Sequence, residues 1–189
     1  MRRVYLIRHG LTEGNRLRRY IGRTDEPLCA AGRAALSAAP LKGIETVYVS
    51  PLLRARETAA ILFPHARQIV VDGLREMDFG AFENRSADDM KNDAAYRAWV
   101  DGLCEGDCPG GENRRGFVAR TVRAFENICA AGGDAQMVIV AHGGTVMALM
   151  SELGEPKKDY WAWHVGAGGC LRCALDGGRL LYEGDGFDA

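Results

Sequence analysis

No apolar stretch in this chain approaches the about 20 residues a helix needs to cross a bilayer, which argues against a membrane-spanning protein. Met1-Arg2-Arg3 leads into only four apolar residues, too few for a signal peptide, so a cytoplasmic location is expected. An excess of either charge is also missing. The 24 Lys and Arg nearly balance 25 Asp and Glu, and a net charge of -1 argues against a polyanion partner such as nucleic acid. Repeats and low-complexity segments are absent, and no Asp/His cluster has metal-ligand spacing. The expectation is a protein with no metal and no cofactor.

What remains is an ordinary globular composition, 47% hydrophobic and 26% charged. At 189 residues it reads as one domain, 1–189, large enough for a real core. The six cysteines include the pair Cys170-Leu171-Arg172-Cys173, whose spacing suits a metal. That segment reads as a strand, however, where residues three apart face opposite sides. Reduced structural thiols are the expectation for all six.

The order read from periodicity and punctuation starts with a strand (3–8), a helical turn (12–16) and a helix (31–39). A strand (46–50), a helix (52–63) and a strand (68–71) follow. An insert over about 76–111, with short helices near 86–91 and 93–101, contains Phe79, Tyr96 and Trp99 and reads as a packed cap. A long helix (112–131), a strand (136–141) and a helix (144–153) come next. A hairpin (168–175 and 179–183) turning at Asp176-Gly177-Gly178 closes the chain. This alternation predicts an α/β fold: three layers, a mostly parallel central sheet, an antiparallel edge hairpin and a small helical cap.

Three strand-to-helix junctions carry chemistry. Val4-Tyr5-Leu6-Ile7 runs into Arg8-His9-Gly10-Leu11-Thr12. Thr46-Val47-Tyr48-Val49 runs into Ser50-Pro51, with Pro51 suited to the first turn and Arg54 about one turn into the helix. Met137-Val138-Ile139-Val140-Ala141 runs into His142-Gly143-Gly144, where glycine permits close backbone approach and free N–H groups favour an anion. Ligands of open α/β sheets bind at the C-terminal edge of the strands. If the three strands are neighbours, Arg8, His9, Arg54 and His142 converge on one anion pocket.

These motifs, with Glu13-Gly14-Asn15, Asp25-Glu26-Pro27-Leu28, Leu74-Arg75-Glu76, Gly80, Glu83 and Pro109-Gly110-Gly111-Glu112, resemble those of the histidine phosphatase superfamily, the group containing the phosphoglycerate mutases. Glu76-Met77-Asp78-Phe79-Gly80-Ala81-Phe82-Glu83, Tyr96-Arg97-Ala98-Trp99 and Trp161-Ala162-Trp163-His164-Val165 are most similar to its α-ribazole phosphatase branch, of cobalamin synthesis. The resemblance implies a metal-independent phosphomonoesterase acting on a small phosphorylated metabolite, with α-ribazole 5′-phosphate the most specific candidate. It implies His9 as the nucleophile that becomes a phosphohistidine, and Glu76 as the acid that protonates the leaving group. Arg8, Asn15, Arg54, His142 and Gly143 are the implied phosphate ligands. It is compatible with a homodimer.

Duller readings stand beside these. Glu83 looks structural or rim-facing, Thr12 a helix cap, and Glu112 a helix-N-terminal charge that also braces a pocket arginine. His65 matches nothing catalytic; His164 is placed to touch substrate. Tyr96, Trp99, Trp161 and Trp163 read as core or lid packing. Cys29, where the family usually has Thr or Ser, predicts a slightly weakened helix cap. Two other functions fit the same motifs: a mutase returning the phosphoryl group to its substrate, and a silent phosphate-binding regulatory module.

Overall fold

The computed structural model describes residues 2–132 and 135–187, so residues 1, 133, 134, 188 and 189 of the expected 1–189 domain lie outside the described residues. Seven strands form one sheet in the order β3-β2-β4-β1-β6-β7-β5. They are β1 (Arg2–Arg8), β2 (Thr46–Val49), β3 (Arg67–Val70), β4 (Gln136–Ala141), β5 (Gly154–Glu155), β6 (Cys170–Asp176) and β7 (Arg179–Asp185). β3, β2, β4 and β1 pair in parallel; β6 alone runs the other way, antiparallel to both β1 and β7. The hairpin therefore inserts one reversed strand, β7 returns to the common direction, and β5, unforeseen in the sequence, continues it at the edge by pairing parallel to β7.

Because both sheet faces are covered, the central strands are apolar at nearly every position instead of alternating. Val4 and Leu6 point to one face with Met137, Ile139, Leu171 and Cys173, under the helices α5 (Arg114–Ala130) and α6 (Gly143–Leu153). Tyr5 and Ile7 point to the other with Val47, Val49, Val138, Val140 and Cys170, under α3 (Leu53–Leu62). Cys170 and Cys173 thus sit in different core layers, each buried, as their strand spacing requires.

Three local expectations need correction. The helix expected over 31–39 is only α2 (Ala30–Ala34). Pro40 disfavours helical backbone at Ala39, whose N–H instead donates to the Leu62 carbonyl at the end of α3. Residues 86–91 form turns, not a helix. Ser86 and Asp89 bond reciprocally, and Asp93 then caps α4 (Ala94–Asp101) through the N–H groups of Ala95 and Tyr96. Pro51 precedes the helix rather than opening it. α3 begins at Leu53, whose N–H is capped by Asp25 Oδ1 at 2.6 Å, so Arg54 is its second residue.

The cap packs as a third apolar cluster of Met77, Phe82, Met90, Tyr96, Trp99, Cys108 and Phe117. Tyr20, on the loop after α1 (Glu13–Arg16), completes it, its ring edge-on to Phe79, Tyr96 and Trp99 and its hydroxyl 2.9 Å from that of Tyr96.

Candidate active site

Neighbouring parallel strands bring the three junctions together. Arg8 pairs in register with Ala141, and Val49 with Val140, so His9, Ser50 and His142 follow adjacent strand ends. A cavity of about 270 Å³ opens at this edge, lined by Arg8, His9, Asn15, Glu76 and Gly143 at its floor. Its walls come from Tyr20, Phe79, Trp99, Met147, Tyr160 and Trp161.

His9 is 4% exposed, with one ring nitrogen committed and one free of protons. Nδ1 lies 2.7 Å from the Gly10 carbonyl, an acceptor only, so this nitrogen carries the hydrogen. Nε2 accepts from Arg54 Nε at 3.3 Å. Burial, followed by the charge of Arg54, lowers the His9 pKa to about 3, against a raising effect from the Gly10 bond. The imidazole is neutral at pH 7. Gly10 is itself fixed, its N–H donating to Thr58 Oγ1 at 2.9 Å while Thr58 donates to the Arg54 carbonyl.

Arg54 is fully buried, and its guanidinium is held by backbone. Nη1 donates to the Thr24 carbonyl at 2.7 Å, and Nη2 to those of Ile21 and Gly22 at 3.2 and 2.8 Å. The fork expected to face phosphate is therefore turned toward the 21–24 loop, and Nε–H is the edge presented at His9. Arg8 donates from Nη1 to the Val165 carbonyl at 2.7 Å and lies 3.4 Å from His164 Nε2, while its buried Nε has no partner.

His142 is buried edge-on to His9, ring centroids 5.2 Å apart, with Nε2 2.7 Å from Ser50 Oγ and Nδ1 unpartnered. Burial and the charge of Arg54 push its pKa well below the usual value. Like Arg54, it touches His9 without lining the cavity itself. Buried polar groups are ordinarily hydrogen-bonded, so Arg8 Nε–H is a donor suited to an anion beside His9, and His142 Nδ1 is another in the tautomer whose Nε2 accepts from the Ser50 hydroxyl.

Asn15 forms a capping box with Thr12: Thr12 Oγ1 accepts from the Asn15 N–H, and Asn15 Oδ1 from the Thr12 N–H. The Asn15 NH2 group is what remains for a ligand. At α6 the arrangement differs from expectation. The Gly144 N–H donates to Glu76 Oε2 at 2.9 Å, so this helix start holds the protein's own carboxylate. A Cβ on Gly144 would lie 2.2 Å from Glu76 Oε1, which explains the glycine. Burial raises the Glu76 pKa, against the lowering effects of the Met77 and Gly144 N–H groups and of Arg54 and Arg8.

Arg120 was not foreseen, while Glu83 holds backbone N–H groups of Gly22, Arg23 and Phe79, in keeping with the structural reading. Glu112 braces Arg120, not a pocket arginine, through Nε at 2.9 Å and Nη2 at 2.7 Å. Arg120 then donates to the carbonyls of Gly73, Arg75 and Glu76, fixing the backbone that carries Glu76. Their spacing of eight, about two helical turns from the start of α5, was the signal available. Arg114 lies under the outer cavity wall, 5.0 Å from the Tyr160 ring centre and paired with Glu105. Among the described residues, no group of three or more His, Cys, Asp or Glu is placed to hold a metal ion.

Residues 4–183 match the sequence model of the histidine phosphatase superfamily (branch 1). A protein of Serratia proteamaculans (strain 568) named "Probable phosphoglycerate mutase GpmB" is 34% identical over 165 residues, covering 82% of this chain and 77% of its own. Among solved structures, the α-ribazole phosphatase from Shigella flexneri superposes with a TM-score of 0.81 at 25% identity, over 96% of this chain and 94% of its own. The phosphoglycerate mutase from Thermus thermophilus superposes with a TM-score of 0.74 at 32% identity, over 97% and 98%.

Proposed function

Since this chain belongs to the histidine phosphatase superfamily (branch 1), we propose that it is a metal-independent phosphatase that hydrolyses a small phosphomonoester through a phosphohistidine on His9. The observation that carries this reading is the state of His9: Nδ1–H held by the Gly10 carbonyl, and Nε2 unprotonated beside a cavity, its lone pair met only by Arg54 Nε–H. A nucleophile of this kind splits one difficult hydrolysis into two easier steps.

In the first step His9 Nε2 attacks phosphorus as the bond to the leaving oxygen breaks. Arg8 Nε–H, the Asn15 amide and His142 Nδ1–H are donors for the phosphoryl oxygens, and Arg54 Nε–H leaves the Nε2 lone pair for a phosphoryl oxygen as that lone pair attacks. Their task is positioning and charge stabilisation, which dominate phosphoryl transfer. Glu76, its pKa raised by burial, gives its proton to the departing alkoxide. In the second step Glu76 takes a proton from water, the water oxygen attacks phosphorus, and the N–P bond breaks to release inorganic phosphate and neutral His9.

The cavity walls favour hydrolysis of an ester with an apolar, planar body. Tyr20, Phe79, Trp99, Tyr160 and Trp161 surround the space the leaving group must fill, and α-ribazole 5′-phosphate has that character. This reading places the enzyme in cobalamin synthesis, in the cytoplasm. Mutase-type transfer is the second reading, favoured by the similarity to the Thermus thermophilus mutase. Phosphate release from an aryl phosphate, α-ribazole 5′-phosphate, phosphoglycerates and sugar phosphates, measured with a chelator present, separates the two. Chelator-resistant release, fastest with α-ribazole 5′-phosphate, is expected. Label retained on phosphoglycerate without phosphate release would make the protein a mutase.

A further inference from the structure

Glu83 accepts more hydrogen bonds than any other carboxylate near the site, yet it does not line the cavity. Its oxygens take the N–H groups of Gly22 (3.0 Å), Arg23 (2.8 Å) and Thr24 (3.4 Å), the Thr24 hydroxyl (2.7 Å) and the N–H of Phe79 (3.1 Å). The first four belong to the loop whose carbonyls, from Ile21, Gly22 and Thr24, hold the Arg54 guanidinium. Phe79 lies three residues after Glu76.

Two peptide groups, Ile21–Gly22 and Gly22–Arg23, therefore work in both directions, with N–H ends on Glu83 and C=O ends on Arg54, while Thr24 gives its N–H to Glu83 and its carbonyl to Arg54. A loop gathered this way has its carbonyls aimed before any ligand arrives, which is the preorganisation an electrostatic site requires. The approach is close: a Cβ on Gly22 would lie 1.9 Å from the Met77 carbonyl and 2.4 Å from Glu83 Oε1. Only glycine lets the loop lie flat against the segment carrying Glu76.

We infer that Glu83 is a positioning residue for the reaction, acting through the 21–24 loop to hold Arg54 Nε against His9 and to tie that loop to the Glu76 segment. The inference rests on the phosphohistidine reading for its meaning, and on the loop geometry for its substance. Glu83 touches neither substrate nor reacting atoms. Glu83→Gln preserves shape but turns one acceptor into a donor among N–H groups, so the convergence fails.

A double-mutant cycle isolates the route, because residues in one network couple while independent ones add. The readout is the dissociation constant for orthovanadate, a phosphoryl mimic, by titration calorimetry on the full chain. Glu83→Gln should weaken orthovanadate about tenfold in the wild-type background, the scale of a lost charge-assisted hydrogen bond. In an Arg54→Lys background, where no fork remains to be held, the same change should cost less than about twofold. General destabilisation would lower the melting temperature in both backgrounds but would not produce that difference. Equal losses in the two backgrounds, or none in the first, would overturn the inference.

Thr24→Val removes one bond of the set and serves if Glu83→Gln fails to fold. It should show the same background dependence at smaller amplitude, and equal losses in both backgrounds would overturn the inference in the same way. A wild-type protein that binds orthovanadate with this coupling but hydrolyses no ester would defeat the phosphatase reading and leave Glu83 in place. Hydrolysis with an additive cycle would do the reverse.

Discussion

At the scale of the residue, the two nitrogens of His9 are told apart by an acceptor on one side and a guanidinium on the other. His9→Ala should abolish turnover while circular dichroism and melting stay near wild type, and His142→Ala should greatly reduce it. Arg54→Lys keeps the charge but not the three carbonyl ties, and a loss of roughly 100-fold in kcat/KM is expected. Wild-type rates in the lysine variant would sink the assignment. Gly144→Ala tests Glu76 without touching it. The added methyl displaces the carboxyl, so hydrolysis of alkyl phosphates should fall by about 100-fold or more, the scale of a lost general acid. An aryl phosphate, whose leaving group needs no proton, should be affected far less. Equal losses on both would mean that Glu76 is not the proton donor.

At the scale of the element, the central strands β1, β2 and β4 were legible because each is a short apolar run packed between neighbours, whereas the two-residue β5 has no such run to read. The residues at their ends were legible because a strand end places a side chain with few alternatives. α2 was misjudged where local propensity meets a distant partner, Ala39 with the end of α3, and the 86–91 turns because Ser86 and Asp89 bond each other locally before Asp93 caps α4. The cavity wall was hidden for a similar reason. Tyr20, Trp99 and Trp161 come from segments far apart in sequence, with no shared spacing to announce the meeting. Glu83 acts on backbone groups, which leave no side-chain pattern to read, and for Arg120 only its spacing from Glu112 offered a signal. One local expectation has a direct test. Cys29 caps α2 through a thiol accepting from the Gly32 N–H at 3.3 Å, a weak acceptor. Cys29→Ser should raise the melting temperature slightly, by the equivalent of less than about 1 kcal/mol. A clear fall would refute the weak-cap reading.

At the scale of the whole molecule, burying the site makes stability depend on pH. His9 titrates at about 3 in the folded protein, below the ordinary histidine value of 6.5. Between those values the unfolded chain binds more protons, so stability is fully present above about 6.5 and declines as pH falls toward 3. His142, also lowered, adds a dependence of the same sign; Glu76, raised, opposes it. Comparing wild type with His9→Asn by denaturant unfolding at pH 7 and 5.5 isolates the first contribution. The wild type should lose about 1 kcal/mol more over that interval, one such group accounting for roughly 1.4 kcal/mol per pH unit. Parallel losses would show that His9 is not held neutral by the fold.

In the proposed reaction His9 carries the phosphoryl group during turnover. The measurement that bears on it most directly is rapid mixing with an ester the protein hydrolyses, alkaline quench, and mass spectrometry of the peptide containing His9. One added phosphoryl group is expected on His9, formed and lost at rates that match turnover, and absent from His9→Ala. Full turnover with that peptide unmodified at every time point would contradict it.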